Sequence, residues 1–343
     1  MRSFEVDNLS DMGIIFIAAS GVDFDINWPS HEKNIDIVVN NLRRYSKLTT
    51  TEENLVGIDK AREARNQSYN HFAHEAQLTR QKYLALQARV SPELYDRRLG
   101  FLRDRCVPKC AEWLLRHETF TNWLDVRNTT LPSLWLQGIP GAGKTYLTAT
   151  VIDHVRERHR TLFALVTHMN TTSLTALSVI QSLLFQAAED DRELQLILVE
   201  TKERELHGNT KYVAGLLKNF LLTAGAYYII IDGLDEMEEV ERGILLTNLA
   251  EVSKDCVYLR LLICSRAEDD ISERLERKTS IRVNEKNHGS IQIYIDHRTR
   301  RLLARRQFDL DTQSELFSLI SPLSAKANGK VPWSIQHWQG GVS

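Results

Sequence analysis

Four cysteines among 343 residues are too few for a disulfide framework. The chain therefore reads as a protein of a reducing compartment, and a cytoplasmic location is expected. No apolar run approaches the ~18 residues that cross a bilayer. The candidate nearest the N-terminus, Gly13 to Ala19, is far too short, and Glu5, Asp7 and Asp11 precede it where a secretory signal carries positive charge. No transmembrane segment is expected. Charge of one sign is also lacking: 43 Lys and Arg face 45 Asp and Glu, for a net charge of −2. That balance gives no global attraction to nucleic acid or anionic lipid, and no DNA partner is expected. No G-x-S-x-G elbow signals a hydrolase triad. RHET (116–119) lacks the second His of a metalloprotease helix. Cys106 and Cys110 lack the second close pair of a zinc site and read as buried helical thiols. No repeat of 20 to 50 residues supports a solenoid.

What is present is globular. Hydrophobic residues make up 43% and charged residues 26%, which excludes wholesale disorder, and the length suggests about two domains. From Asp36 to Val90 there is no Pro and a single Gly, Gly57, among many Ala, Gln, Arg, Leu and Glu. These are helix formers, with apolar residues at loose helical spacing, so a helical hairpin or short coiled-coil stalk is expected. Ser91-Pro92-Glu93 reads as a new helix start, with Ser as cap and Pro at the first position. Beyond residue 130, short apolar runs alternate with helical stretches: 133–137, 161–168, 226–231, 258–264 and 280–283. That alternation predicts an α/β fold with a parallel sheet covered on both faces.

GIPGAGKT (138–145) fits G-x-x-x-x-G-K-[ST] at every fixed position, with an apolar run before it and a helical segment, Tyr146 to Arg158, after it. The residue types follow from phosphate chemistry. Gly138, Gly141 and Gly143 permit a tight turn that aims backbone N–H groups at phosphate oxygens. The emerging helix adds its positive end. Lys144 supplies a point charge for the β- and γ-phosphates, and Thr145 a hydroxyl for Mg²⁺. Ile139, Pro140, Ala142 and Tyr146 complete the expected nucleotide-binding segment.

AYYIIIDGLDEM (226–237) is an apolar strand ending in Asp232, Asp235 and Glu236. Carboxylates at the tip of a parallel strand lie at the carboxyl edge, where open α/β sheets bind ligands. One can hold Mg²⁺ and another can orient or deprotonate the attacking water. Gly233 keeps the space beside Asp232 small. YLRLLICSR (258–266) ends in Arg266, which could sense a γ-phosphate through charge-assisted hydrogen bonds. The plainer readings are an acidic helix cap and a surface arginine. The segment 296–306 packs five arginines into one helix, and is read as a solvated face.

Together these pieces resemble the NACHT-type P-loop NTPases of the STAND class, in the nephrocystin-like form found in filamentous fungi. The matching segments are 110–125, 134–145, 180–186, 227–237, 261–271 and 280–295, and the resemblance covers about residues 90–328. It implies a switch that holds ADP or GDP at rest, exchanges it for ATP or GTP with Mg²⁺, and oligomerises. It links such proteins to signalling, non-self recognition and programmed cell death. By position, Thr145 and Asp232 would hold Mg²⁺, Asp235 or Glu236 would activate water, and Arg266 would be the sensor arginine. The segment with Trp113 and Trp123 would close over the base. The resemblance also implies strand order 5-1-4-3-2, with the acidic strand beside that of the loop, and self-association or protein partners through the helical N-terminal region.

The expected organisation is an N-terminal segment 1–35, a helical region 36–129, a nucleotide-binding domain 130–285, a helical lid 286–329 and a tail 330–343. KVPWSIQHWQGGVS (330–343) departs from the family pattern, as do the missing winged-helix and sensor modules, so a truncated product with a non-native or disordered tail is expected. Two rival functions remain: a P-loop kinase acting on a small molecule, and a non-catalytic adaptor with a relic nucleotide site.

Overall fold

The computed structural model describes residues 39–41, 52–169, 174–275 and 279–306, with 314, 315 and 318. The N-terminal segment 1–35 and the tail 330–343 lie outside the described residues. The chain divides into two units, 1–77 and 78–343, and the sheet and all site residues belong to the second.

Five strands form one sheet: β1 (Ser133–Gln137), β2 (Arg160–Leu165), β3 (Tyr227–Asp232), β4 (Leu259–Ser265) and β5 (Thr279–Arg282). All pairings are parallel and the lateral order is β2-β3-β4-β1-β5. This is the expected order read from the other edge. One expectation fails: the acidic strand β3 does not adjoin β1, because β4 lies between them. Every residue of β3 and β4 is buried, as a strand covered on both faces requires. Each isoleucine of the Ile229–Ile231 run is fully buried and contributes about 1.5–3 kcal/mol relative to exposure. The edge strands are less covered: Arg160 opens β2 exposed, and in β5 only Ile281 is buried.

Register aligns the strand ends. Leu165 pairs with Asp232, Asp232 with Cys264, and Gln137 with Ser265. The next residues, Val166, Gly233, Arg266 and Gly138, therefore start from one sheet edge. Two bonds continue the ladder past the strands: Gly233 N–H donates to Cys264 O at 3.0 Å and Gly138 N–H to Ser265 O at 3.3 Å.

Residues 52–90 form one continuous helix, α1 (Glu52–Val90), so no turn divides this stretch. The helix start expected at Ser91 is displaced. Ser91 sits at φ 49° and its N–H donates to Gln87 O, ending α1; the next helix, α2 (Asp96–Arg103), begins five residues later. The C-terminal part of α1 is core: Tyr83 is fully buried, stacks on Phe185 and donates to Phe185 O at 3.1 Å. Helices α3 (Glu112–Leu115) and α4 (Glu118–Leu124) precede β1. Then come α5 (Lys144–Arg156), α6 (Ala176–Ala188), α7 (Arg192–Glu200), α8 (Glu203–Gly208) and α9 (Thr210–Thr223). The last are α10 (Glu239–Asp255), α11 (Asp269–Leu275), α12 (Val283–Lys286) and α13 (His288–Arg306). Side-chain caps start four of them: His117 accepts from Thr119 N–H, Thr175 from Ser178 N–H, Asp191 from Leu194 N–H and Asn209 from Tyr212 N–H.

Candidate nucleotide site

The loop between β1 and α5 turns on two glycines. Gly141 (φ 79°) and Gly143 (φ 84°) lie in the left-handed region, and Gly143 is the N-cap of α5. Lys144, the first residue of α5, curls back over the loop and donates to Gly138 O at 2.8 Å and Ile139 O at 3.2 Å. Pro140 to Tyr146 line a cavity of ≈ 450 Å³, whereas Gly138 and Ile139 are not part of its lining. The cavity thus meets the positive end of a 13-residue helix and a lysine ammonium.

The acids face the same space. Asp232, Asp235, Glu236 and Arg266 all line the cavity. Asp232 is 2% exposed. Thr148 Oγ1 donates to its Oδ1 at 3.2 Å, and the Thr145 hydroxyl is a further hydrogen-bond partner. Burial pushes the Asp232 carboxyl up, against the hydrogen bonds from Thr145, Cys264 and Thr148 and the Lys144 charge. Beyond it the chain turns at Gly233, φ 79°, where an added Cβ would lie 2.4 Å from Val166 O. Only glycine fits there, and the turn throws Asp235 and Glu236 onto a short 3₁₀ segment (Leu234–Glu236).

Arg266 is bound to the doublet. Its N–H donates to Asp235 Oδ1 at 3.0 Å, its Nε lies 2.9 Å from Asp235 Oδ2, and its Nη2 lies 3.9 Å from Glu236 Oε1. His168, just past β2, holds the other oxygen of Glu236 through Nδ1 and its backbone N–H. Burial pushes the Glu236 carboxyl up, but the His168 hydrogen bonds and the charges of His168 and Arg266 outweigh it, and the net shift is downward.

The far wall corrects the tryptophan reading. Trp123 is fully buried against Phe120 and Tyr228, and neither it nor Trp113 reaches the cavity. The wall is instead the turn Arg105–Ala111 facing the start of α13. Cys106 and Cys110 lie in this turn, half-buried and not helical. Burial pushes Cys110 up to about 11 and Cys106 upward. Ser290 Oγ donates to Cys110 O at 2.5 Å and the Cys110 thiol donates back to Ser290 O at 3.5 Å. Asn287 Nδ2 donates to Ala142 O at 2.8 Å, tying the loop to the residue between α12 and α13. Tyr294 and Ile291 complete the wall. The resemblance covered 280–295 and, through 110–125, Cys110 and Ala111 of its partner, but nothing in the sequence signalled Arg105 to Val107. Among the described residues no His, Cys, Asp and Glu group has the arrangement of a metal cluster.

Residues 109–266 match the family model described as Nephrocystin 3, N-terminal. Over that stretch the chain is similar to that family. The fold is a five-stranded parallel α/β sheet with a G-x-x-x-x-G-K-T loop after its first strand. Among solved structures, PCH-2 of C. elegans aligns at 12% identity and TM-score 0.35, over 62% of this chain and 56% of that one. The Walker-type ATPase paby2304 of Pyrococcus abyssi aligns at 12% identity and TM-score 0.37, over 61% of this chain and 65% of that one. The chain spans less than two thirds of either structure. No curated protein matches it. No helix among the described residues is long and apolar enough to cross a membrane.

Proposed function

We propose that the chain is a Mg²⁺-dependent nucleoside-triphosphate switch of the STAND class, with ATP or GTP as ligand, ADP or GDP at rest, and slow hydrolysis. The observation that carries this reading is the convergence, on one cavity at the carboxyl edge of the sheet, of Lys144, Thr145, Asp232 and the Asp235–Glu236 doublet. The donor set suits the ion: Thr145 and Asp232 offer hard oxygens already within hydrogen-bonding reach of one another, and Mg²⁺ is held by few protein oxygens plus phosphate and water. When bound, Mg²⁺ would neutralise charge on the phosphates. Lys144 binds phosphate oxygens, and the positive end of α5 supports them. Glu236 is the acid that orients the attacking water. Asp235 acts through Arg266, which it holds at the cavity edge where a γ-phosphate charge would develop. Support for a signalling role comes from the resemblance to NACHT proteins, with self-association or protein partners through the helical N-terminal region.

The test is to purify the full chain with Mg²⁺ throughout, denature it and identify released nucleotide by chromatography. ADP or GDP near one per chain is expected. An empty protein that also fails to bind added triphosphate overturns the reading in favour of an adaptor. Transfer of radiolabelled phosphate to a metabolite rather than water overturns it in favour of a kinase.

A further inference from the structure

Two thiols tie the far wall of the cavity, each to a different helix. Cys106 Sγ lies 3.7 Å from Tyr146 O and 3.9 Å from Thr150 Oγ1, both on α5. Cys110 Sγ donates to Ser290 O on α13 at 3.5 Å. The turn that carries them is short. Cys110 N–H donates to Val107 O at 3.3 Å and Lys109 sits at φ 70°, so the chain doubles back between the two cysteines. The Cys106 sulfur is near enough to add to the upward push on the Cys110 thiol. Behind the turn is a second cavity of ≈ 390 Å³, and Cys106, Val107 and Ala111 line both cavities. The turn is thus a thin partition with room on either side. Both thiols are free and half-buried, and the hydrolytic reading gives neither of them a role.

A disulfide sulfur carries no hydrogen. A bridge between these cysteines would delete the thiol donations to Tyr146 O and Ser290 O together, so the partition would lose a tie to each helix. We propose that Cys106 and Cys110 form a reversible disulfide by exchange with a small-molecule disulfide, and that the bridge loosens the wall and weakens nucleotide binding. The effect on affinity rests on the nucleotide reading above; the bridge itself does not. In the first step one cysteine gives its proton to solvent, and its thiolate attacks a sulfur of the small disulfide, whose S–S bond breaks and expels a thiolate. The second cysteine, deprotonated in turn, attacks the protein sulfur of the mixed disulfide and expels the other thiolate. The cysteine pair loses two electrons and the small disulfide gains them, leaving as two thiols. Burial keeps both protein thiols protonated at neutral pH, so exchange quickens as pH rises. Linkage makes the effect mutual: bound nucleotide disfavours the bridge by the factor by which the bridge weakens nucleotide binding.

The test equilibrates the full chain in mixtures of reduced and oxidised glutathione, with Mg²⁺ and with or without ADP or GDP. Remaining thiols are alkylated, bridged peptides are mapped by mass spectrometry, and nucleotide Kd is measured on the reduced and oxidised protein. The expected product is a Cys106–Cys110 bridge that excess reduced glutathione reverses. Oxidation is expected to raise Kd about three- to tenfold, the order set by losing one weak hydrogen bond. Saturating nucleotide should raise the oxidant level needed for half-conversion by the same factor. Cys106→Ser and Cys110→Ser each retain a donor on the wall, and their Kd should not respond to glutathione. No bridge, a glutathione adduct as the end product, or a bridge to Cys256 or Cys264 overturns the pairing on the parental protein alone, whether or not the variants fold. A Cys106–Cys110 bridge that leaves Kd unchanged, in a protein that binds nucleotide when reduced, overturns the loosening of the wall. Reduced protein that binds neither nucleotide overturns the nucleotide reading and the affinity effect with it, and leaves the mapped bridge to stand or fall by itself.

Discussion

Arg266 grips Asp235 with backbone and side chain at once, its N–H on Oδ1 at 3.0 Å and its Nε 2.9 Å from Oδ2. The pair joins the end of β4 to the turn after β3, the two strand ends that carry most of the charge at the site. Asp235 is nearly buried, whereas Arg266 is 45% exposed and partly screened by water. Asp235→Ala is therefore expected to cost about 1–2 kcal/mol, toward the low end for a hydrogen bond to a charged group. Urea denaturation measures it. Asp235→Asn should keep nucleotide binding and slow turnover, because Arg266 loses its anchor; unchanged turnover would remove Arg266 from the mechanism.

Lys144→Ala is expected to weaken triphosphate binding by at least about 100-fold, since it deletes a charged donor at the phosphates. Fold stability should change little, because the Lys144 ammonium donates to two loop carbonyls among the described residues, those of Gly138 and Ile139. Calorimetric titration and a thermal melt separate the two effects. A variant that binds as tightly as the parent would move the phosphates away from this loop.

Two glycines with nearly the same φ make a controlled pair. Gly225 (φ 84°) has nothing within 4 Å of an added Cβ, so Gly225→Ala carries only left-handed strain, about 1–2 kcal/mol. Gly233 (φ 79°) would put that Cβ 2.4 Å from Val166 O. Gly233→Ala must add a backbone clash to the same strain and is expected to exceed about 3 kcal/mol. Equal losses in chemical denaturation would show that the turn after β3 relaxes freely.

The depressed Glu236 carboxyl predicts a pH signature. A carboxyl held below its unfolded value stabilises the fold above that unfolded value, and the contribution is lost as pH falls through the folded one. The stability gap between parent and Glu236→Gln should thus be full at neutral pH and close below about pH 4, the ordinary glutamate range. A gap that widens with acid would mean that the contacts of His168 and Arg266 do not favour the charged form.

The phosphate loop was legible because its signal is contiguous: eight residues, each with a local backbone or charge requirement. The central strands were legible because burial on both faces forces unbroken apolar runs such as Tyr227–Ile231. Lateral order is not written in any one strand: the resemblance supplied it, with β4 between β1 and β3, and the added expectation that β1 and β3 adjoin contradicted that order. Ser91 misled because a Ser-Pro-Glu start and a left-handed helix end draw on similar small, polar residues; its N–H was already committed to Gln87 O. His168 has no pattern at all, since its partner lies 68 residues away. The tryptophans stay away from the cavity because Trp123 is fully buried against Phe120 and Tyr228, and only Cys110 and Ala111 of their segment reach the wall.

The reciprocal bonds between Cys110 and Ser290 span 180 residues, so the cavity is walled by both flanks of the sheet domain and not by the sheet domain alone. The stretch that matches the nephrocystin model, 109–266, contains the loop and all three acids but omits Arg105, Cys106 and everything from Asn287 to Tyr294. A fragment cut at those bounds would keep every residue proposed to handle phosphate and lose most of the far wall. Phosphate recognition is proposed for a contiguous motif; the enclosure around it takes a turn from one margin and a helix from the other.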